Sequence, residues 1–196
     1  MLWLASASPR RKEMLEMAGV EFSIRPADGE PEDPGRMEPE RFALLAARYK
    51  ASVVAGKYQG DWVLAADTVV ELDGRILGKP RDADEAASML GLLSGRTHRV
   101  VTAVQLLAPA SESFGHVVSI SRVTFHRLDE QWVRWYANTG EPLDKAGGYG
   151  IQGLGGALVK SVEGSYTNVV GLPLGETLNM LRRAGLWEPA ATGGKS

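Results

Sequence analysis

A single carboxylate interrupts the most apolar stretch of this sequence. Asp67 follows the run WVLAA at 62–66 and precedes Thr68 and two valines. An apolar run of this length is typical of a central strand that is covered on both faces, where an unpaired carboxylate is costly to bury. We therefore expect Asp67 to be neutralised by a cation, a metal ion or a helix end.

Small residues and two arginines follow a short apolar run at the start of the chain, in the segment LWLASASPRR at 2–11. Ser8 suits a helix N-cap whose hydroxyl accepts from the first turn, and Pro9 suits the first helical position. Such a turn directs backbone N–H groups at one point and favours a phosphate there, with Arg10 and Arg11 beside it. The alternative is an ordinary capped helix with two solvated arginines, and this segment alone does not decide between them.

Further basic and acidic side chains could complete a site around Asp67. Lys50 and Lys79 join the arginines as candidate phosphate partners, and Lys79 is held in the rigid context Gly-Lys-Pro. Carboxylates of the loop 28–33 could reach Asp67 and, with water, suit Mg²⁺ or Mn²⁺; these are Asp28, Glu30, Glu32 and Asp33. A solvated surface loop is the alternative for these acids. Cations around a metal carboxylate favour a phosphate-rich substrate, a nucleoside triphosphate.

Helical and strand-like patterns alternate along the chain, which predicts an α/β fold with a mixed sheet flanked by helices. In the helix expected over 40–55, Phe42, Leu45, Ala46 and Tyr49 are predicted to face inward. One domain is expected over 1–188, with a disordered tail over 189–196. The remaining helices are expected at 9–18, 83–93, after Asp129 and at 174–184, and the strands at 2–5, 20–24, 62–70, 75–77, 97–107 and 116–125.

Composition and missing motifs exclude several classes of protein. The chain has 22 Lys+Arg, 24 Asp+Glu and no cysteine, so a broad basic face for nucleic acid, thiol catalysis and cysteine-ligated zinc are not expected. The start of the chain does not resemble a signal peptide and no apolar run is long enough for a membrane span, so we expect a cytoplasmic protein without a membrane partner. P-loop and serine-hydrolase motifs are absent, and the histidines lack metal-ligand spacing.

A glycine motif in the C-terminal half calls for a separate test. The segment GYGIQG at 148–153 matches the dinucleotide-binding pattern G-x-G-x-x-G. That fingerprint requires a strand before it, a helix after it and an acidic residue about 20 positions on. The preceding segment 141–145 is turn-like and no acid occupies that offset, so a dinucleotide site is not predicted.

Five sequence blocks in this order resemble the Maf family of nucleoside triphosphate pyrophosphatases. The resemblance extends from Leu4 to about Leu181. The blocks are LASASPRR at 4–11, ADTVV at 66–70, GKP at 78–80, SGRTH at 94–98 and EPLDKAGGYGIQG at 141–153, the last continuing through 164–166 to 170–174. Each block is weakly specific by itself, whereas five in order are strongly specific.

The resemblance implies an elongated α/β fold with a central cleft, similar to that of inosine triphosphate pyrophosphatases. It implies hydrolysis between the α and β phosphates with a divalent cation, Mg²⁺ or Mn²⁺, as cofactor, and a homodimer. The catalytic aspartate of the family matches Asp67, which is also a metal ligand. The family's metal-side glutamate matches Glu30, with Glu32 as the alternative, and its phosphate-binding positions match Ser6, Arg10, Lys50 and Lys79.

The resemblance also implies a choice of base. Arg10, Thr68 and Gln152 stand where the branch that resembles dTTP and UTP pyrophosphatases carries the same residues. A glutamine amide can donate and accept at once, which suits the O4 and N3–H edge of a uracil-type base. Two alternatives stay open: a pyrophosphatase for inosine or 7-methyl-guanosine triphosphates, and a nucleotide-binding regulator of cell division with little catalysis.

Overall fold

A seven-stranded mixed sheet forms the centre of the protein. It is described here from a computed structural model that covers residues 1–29, 31 and 37–189. The strand order is β2-β1-β3-β5-β6-β7, and β4 pairs with β3 outside this path. The strands are β1 (Leu2–Leu4), β2 (Ser23–Ile24), β3 (Trp62–Leu72), β4 (Arg75–Leu77), β5 (Thr97–Leu107), β6 (Ser113–Phe125) and β7 (Val159–Glu163).

The sheet changes from parallel to antiparallel at β3, its central strand. β1 pairs in parallel with both β2 and β3, whereas β5 pairs antiparallel with β3 over nine positions from Val63 to Glu71. Asp67 lies in the middle of that register, opposite Ala103. The carboxylate therefore projects from the interior of the sheet. A tight turn joins β3 and β4, with Asp73 and Gly74 at positive φ as a two-residue hairpin turn requires.

Helices cover both faces of this sheet. They are α1 (Pro9–Met17), α2 (Pro39–Ala55), α3 (Ala83–Leu93), α4 (Glu130–Ala137), α5 (Tyr166–Val170) and α6 (Leu174–Arg183). Aspartates cap α3 and α4, since Asp82 accepts from the Glu85 N–H and Asp129 from the Trp132 N–H. Short 3₁₀ turns lie at 109–111, 141–144, 146–148 and 153–158. No helix in the described ranges is long and apolar enough to cross a bilayer.

Alternate residues of β3 pack on opposite sides of the sheet, as the period of a strand requires. Leu64 and Ala66 pack in the cluster with α1 and α6, whereas Val63 and Ala65 pack with α2. The far end of the strand, at Val70 and Leu72, joins a third cluster with α3 and α4. Burying a leucine side chain such as that of Leu64 contributes about 1.5–3 kcal/mol. β3 is thus covered on both faces, as its composition predicted.

The inward face predicted for α2 is wrong in part. Leu45 and Tyr49 are 45% and 38% exposed, and Phe42 is only partly buried. An alanine-rich stripe packs against the sheet instead, because small side chains let the helix approach closely; it comprises Ala43, Ala46, Ala47, Ala51 and Ala55. Of the strand expected at 20–24, only Ser23–Ile24 forms. The tail expected at 189–196 lies outside the described residues, apart from Pro189.

Candidate active site

The turn between β1 and α1 places small residues at the N-terminus of a helix, as predicted. α1 begins at Pro9, and Ser8 occupies the N-cap position. The hydroxyl of Ser8 makes no capping hydrogen bond, however, so the role predicted for it is wrong. Ser6 supplies the local bond instead, because its Oγ atom accepts from the Ser8 N–H at 3.2 Å.

Arg11 is buried, and its guanidinium is bonded to three parts of the chain. Its Nε donates to the Gly171 carbonyl at 2.8 Å, its Nη1 to Ser6 Oγ at 3.1 Å and its Nη2 to Thr68 Oγ1 at 3.0 Å. Burial lowers the pKa of the Arg11 guanidinium, the nearby Asp67 carboxylate raises it, and Arg10 lowers it further. An arginine still keeps its charge under such conditions. The guanidinium therefore joins α1, β3 and the segment at 171, and it also lines the cleft described below, so its role as a phosphate partner stays a prediction.

The cation that neutralises Asp67 is Lys50. The Nζ atom of Lys50, on α2, lies 2.6 Å from Asp67 Oδ1, and the two side chains are 16% and 15% exposed. A mostly buried pair at this distance is little screened by solvent. The pair still reaches the cleft described next, so both charges are open to a substrate.

A cleft of about 580 Å³ gathers the predicted site residues that the structure describes. Its walls contain the β1–α1 turn, the middle of β3 and part of the segment 147–156, called the glycine-rich segment below. It is lined by Ser6, Arg10, Lys50, Asp67, Thr68, Lys79 and Gln152, among others. Glu30, Glu32 and Asp33 lie outside the described residues. Asp28 does not turn towards Asp67: its carboxylate pairs with Lys57 at 2.8 Å and is exposed, so that expectation is wrong.

Arg10 and Lys145 stand at the cleft near an acidic residue that sequence reasoning missed. Arg10 Nη1 lies 3.6 Å from Asp144 Oδ2, and Lys145 Nζ donates to Asp144 Oδ1 at 2.6 Å. Lys145 also donates to the Glu141 carbonyl at 2.6 Å. Both new residues belong to the block at 141–153, which was the only signal for them in the sequence. Asp144 orients Arg10 by an exposed and therefore weak ion pair.

Thr68 is held by a chain of hydrogen bonds beneath the cleft. Its Oγ1 accepts from Arg11 and lies 2.9 Å from Thr102 Oγ1, which in turn donates to the Asn168 carbonyl at 3.0 Å. Because the Thr102 proton is used on Asn168, the Thr68 hydroxyl donates to Thr102. Its orientation is thus determined by buried neighbours on β5 and α5.

An aromatic cluster with a buried histidine lies behind one wall of the cleft. His98 Nε2 is 2.7 Å from Tyr149 Oη, and both rings pack edge to face with Phe125. Burial lowers the pKa of His98 to about 4. Nδ1 of His98 has no partner among the described residues, so a second proton on this ring would lack an acceptor. His98 is a neutral core residue, and sequence spacing had excluded only a metal role for it.

The cleft suits a divalent cation that is held by one protein carboxylate together with substrate phosphates. The described parts of the chain contain no group of three or more His, Cys, Asp or Glu side chains that could hold a metal by themselves. Mg²⁺ is commonly bound through one or two carboxylates together with substrate phosphates and water. Asp67, at the cleft surface among basic side chains, fits that kind of site.

Comparison with known proteins assigns the chain to a family. The family model described as "Maf-like protein" matches residues 1–184. The chain belongs to the Maf family. Curated relatives include the dTTP/UTP pyrophosphatase of Myxococcus xanthus, 53% identical over 186 residues that cover 95% of this chain and 93% of that protein. The dTTP/UTP pyrophosphatase of Deinococcus radiodurans is 49% identical over 183 residues, covering 93% and 92% of the two chains.

One solved structure aligns with this chain over nearly the whole length of both proteins. The nucleoside-triphosphatase / dITP/XTP pyrophosphatase from Mycobacterium abscessus aligns over 94% of this chain and 95% of that one, at 19% identity and a TM-score of 0.43. At this TM-score the likeness carries no further argument. Membership of the Maf family depends on the sequence comparisons, and the mixed α/β fold on the sheet and helices described above.

Proposed function

We propose that this chain is an enzyme that hydrolyses dTTP and UTP to the nucleoside monophosphate and pyrophosphate. Two observations support the proposal. Relatives at 49–53% identity over nearly the whole chain are named dTTP/UTP pyrophosphatases. A cleft large enough for a small-molecule ligand brings the carboxylate of Asp67 together with Arg10, Lys50 and Lys79.

The observation that carries the proposal is the contact between Asp67 and Lys50 at the cleft surface. A triphosphate that enters attracts the Lys50 ammonium, which releases the Asp67 carboxylate to act as general base or metal ligand. Water then forms a bond to the α-phosphorus, its proton passes to Asp67, and the bond to the bridging oxygen breaks. Positive charges aimed at the departing pyrophosphate stabilise the charge that develops there.

The binding roles follow from the positions of the side chains. Arg10 and Lys79 bind the phosphates with Lys50. Ser6, in the β1–α1 turn, is a further phosphate-binding residue. A divalent cation, Mg²⁺ or Mn²⁺, would be held by Asp67 and the substrate, with Glu30 as the proposed second carboxylate. When bound, it would neutralise phosphate charge as a Lewis acid.

Selection of the base is assigned to Gln152, together with two residues near the phosphate site. Gln152 is exposed on the glycine-rich segment that lines it. Its amide can pair with the O4 and N3–H edge of thymine or uracil. Arg10 and the fixed hydroxyl of Thr68 complete the proposed set of base-selecting residues.

The proposal is tested by pyrophosphate release from dTTP, UTP, CTP, ITP and 7-methyl-GTP, with Mg²⁺ or Mn²⁺. Turnover confined to dTTP and UTP is the expected result. Turnover centred on ITP or 7-methyl-GTP would preserve the reaction and overturn the base assignment. Triphosphate binding without any turnover would instead favour the non-catalytic regulator.

A matched pair of substitutions tests the role of Asp67. Asp67→Asn is expected to abolish turnover, because the amide can neither take a proton nor bind a cation strongly. Asp73→Asn, on an exposed turn whose positive φ asparagine also accepts, is expected to keep it. Equal activity of the two variants would contradict the assignment.

Two further expectations stay predictions. The first is the cytoplasmic location expected from the sequence pattern. A homodimer is expected as well, and light scattering at micromolar concentration would distinguish twice the chain mass of 21.1 kDa from the monomer.

A further inference from the structure

A buried tyrosine and a glutamate hold the backbone of the glycine-rich segment. Tyr136, on α4, is fully buried, and its hydroxyl donates to Glu141 Oε1 at 2.8 Å. The same hydroxyl accepts from the Gly150 N–H at 3.1 Å. Both hydrogen-bonding capacities of this buried group are thus used, one on the glutamate and one on the segment.

The glutamate holds the same segment further along. Its Oε2 atom accepts from the Leu154 N–H at 3.1 Å and its Oε1 atom from the Gly155 N–H at 3.2 Å. Gln152 lies between these anchored positions, two residues after Gly150 and two before Leu154. Tyr136 and Glu141, called the clamp below, therefore fix the backbone on both sides of Gln152.

Glycines let the segment approach the clamp without intervening side chains. A Cβ atom on Gly155 would lie 2.2 Å from the Gly150 carbonyl oxygen and 2.6 Å from Tyr136 Oη. Gly153 has φ +75°, and a Cβ atom there would lie 2.9 Å from Glu141 Oε2. The segment therefore has little room to shift while the clamp is intact.

The side chain of Gln152 lacks comparable support. It is exposed at the cleft, and within the described chain no hydrogen bond holds its amide. Its position is consequently determined by its backbone, which the clamp anchors. A displacement of about 1 Å at a recognition group can cost on the order of 100-fold in rate.

We propose that Tyr136 and Glu141 are positioning residues for base selection: they hold Gln152 at the distance from which its amide reads the pyrimidine edge. This inference rests on the proposed function. Burial is the main cause that raises the pKa of the Tyr136 hydroxyl, so it stays a donor to Glu141 throughout the working pH range.

The test replaces Tyr136 with phenylalanine, which retains the ring and removes both hydrogen bonds. For Tyr136→Phe, KM for dTTP is expected to rise about tenfold with kcat nearly unchanged, and the preference in kcat/KM for dTTP over ITP to fall by a similar factor. Amide hydrogen exchange at Gly150, Leu154 and Gly155 should accelerate in the same variant, independently of any substrate. Glu141→Gln, which keeps one acceptor oxygen, should give a smaller change than Glu141→Ala.

Ser94→Ala is the control for a general loss of hydrogen bonding. Ser94 Oγ accepts from the Leu128 N–H at 2.7 Å and donates to its carbonyl at 3.1 Å, ahead of α4 and away from the glycine-rich segment. This variant should be less stable but keep the dTTP preference. If Tyr136→Phe exchanges faster yet keeps the wild-type preference, the inference is overturned and the proposed function stands. A wild-type protein without pyrophosphate release overturns both.

Discussion

Lys50 Nζ and Asp67 Oδ1 lie 2.6 Å apart, at the point where α2 crosses the middle of β3. Each group is the counter-ion of the other, and both are mostly buried. Because the pair borders the cleft, an anionic substrate can replace Asp67 as the partner of Lys50. Under the proposed function, this contact is a resting state, and substrate binding exposes the Asp67 carboxylate.

Substitution of Lys50 should impair both binding and catalysis. Lys50→Met leaves Asp67 without its counter-ion and removes one phosphate partner, so kcat/KM for dTTP should fall on the order of 100-fold. Lys50→Arg preserves the charge with a different geometry and should retain more activity. Lys57→Met is the control, because among the residues that the structure describes Lys57 pairs with exposed Asp28 and not with Asp67. Wild-type kcat/KM in Lys50→Met would contradict the role assigned to this pair.

Arg11 should matter for stability more than its neighbours do. A lysine cannot reproduce the three bonds to Gly171, Ser6 and Thr68, so Arg11→Lys should lower the free energy of unfolding by about 2–4 kcal/mol. Urea denaturation measures the difference. Lys12→Gln, on the exposed side of α1, should stay within about 0.5 kcal/mol of wild type. A similar effect of both variants would argue against the buried network.

Gly147 occupies a position where a side chain has no room. Its φ is +69°, and a Cβ atom would lie 2.9–3.0 Å from three carbon atoms of Val70. Gly147→Ala should therefore cost about 2–4 kcal/mol of stability, from left-handed strain and overpacking together. Gly140→Ala has a similar φ of +77° with no atom within 4 Å of its Cβ, so it should show the strain alone, about 1 kcal/mol. Equal losses would mean that the core at Val70 relaxes.

The buried His98 should make stability depend on pH. Its pKa is lowered to about 4 by burial, whereas in the unfolded chain it is about 6.5. Between these values the unfolded state binds more protons, so stability is full above pH 6.5 and is lost as the pH falls towards 4, by about 3 kcal/mol in total. Urea denaturation between pH 4.5 and 7.5 measures this slope.

Two histidine variants isolate that contribution from the carboxylates that titrate in the same range. His98→Gln keeps a polar partner for Tyr149 and should flatten the slope between pH 4.5 and 6.5. His116→Gln, at an exposed position of β6, should leave the slope unchanged. The same slope in His98→Gln and wild type would show that His98 is not a buried neutral group in solution.

Local pattern was enough to predict the strand that carries Asp67 and the helix that begins at Pro9. An apolar run and a proline at a helix start depend on neighbouring residues only. Local pattern failed for α2, where Leu45 and Tyr49 follow the helical period but face solvent. Which face of an amphipathic helix is buried depends on the sheet it packs against, and here small alanines allow the closer approach.

Long-range contacts account for the other differences. The sequence did not distinguish Arg11 from Arg10. In the structure Arg11 Nε donates to the carbonyl of Gly171, 160 positions away, and the side chain is therefore buried. The contacts of Glu141 with the segment around Gln152 were equally hidden, because a turn-like segment does not reveal where its carboxylate points. Motif order located the cleft, whereas only the fold separates the side chains that face it from those that support it.

The most direct test of the central claim is hydrolysis of dTTP in ¹⁸O-labelled water, followed by mass spectrometry of both products. Attack of water on the α-phosphorus predicts one labelled oxygen in the nucleoside monophosphate and none in pyrophosphate. Label in pyrophosphate, or release of inorganic phosphate with a nucleoside diphosphate, would contradict the reaction proposed for Asp67 and the cations around it.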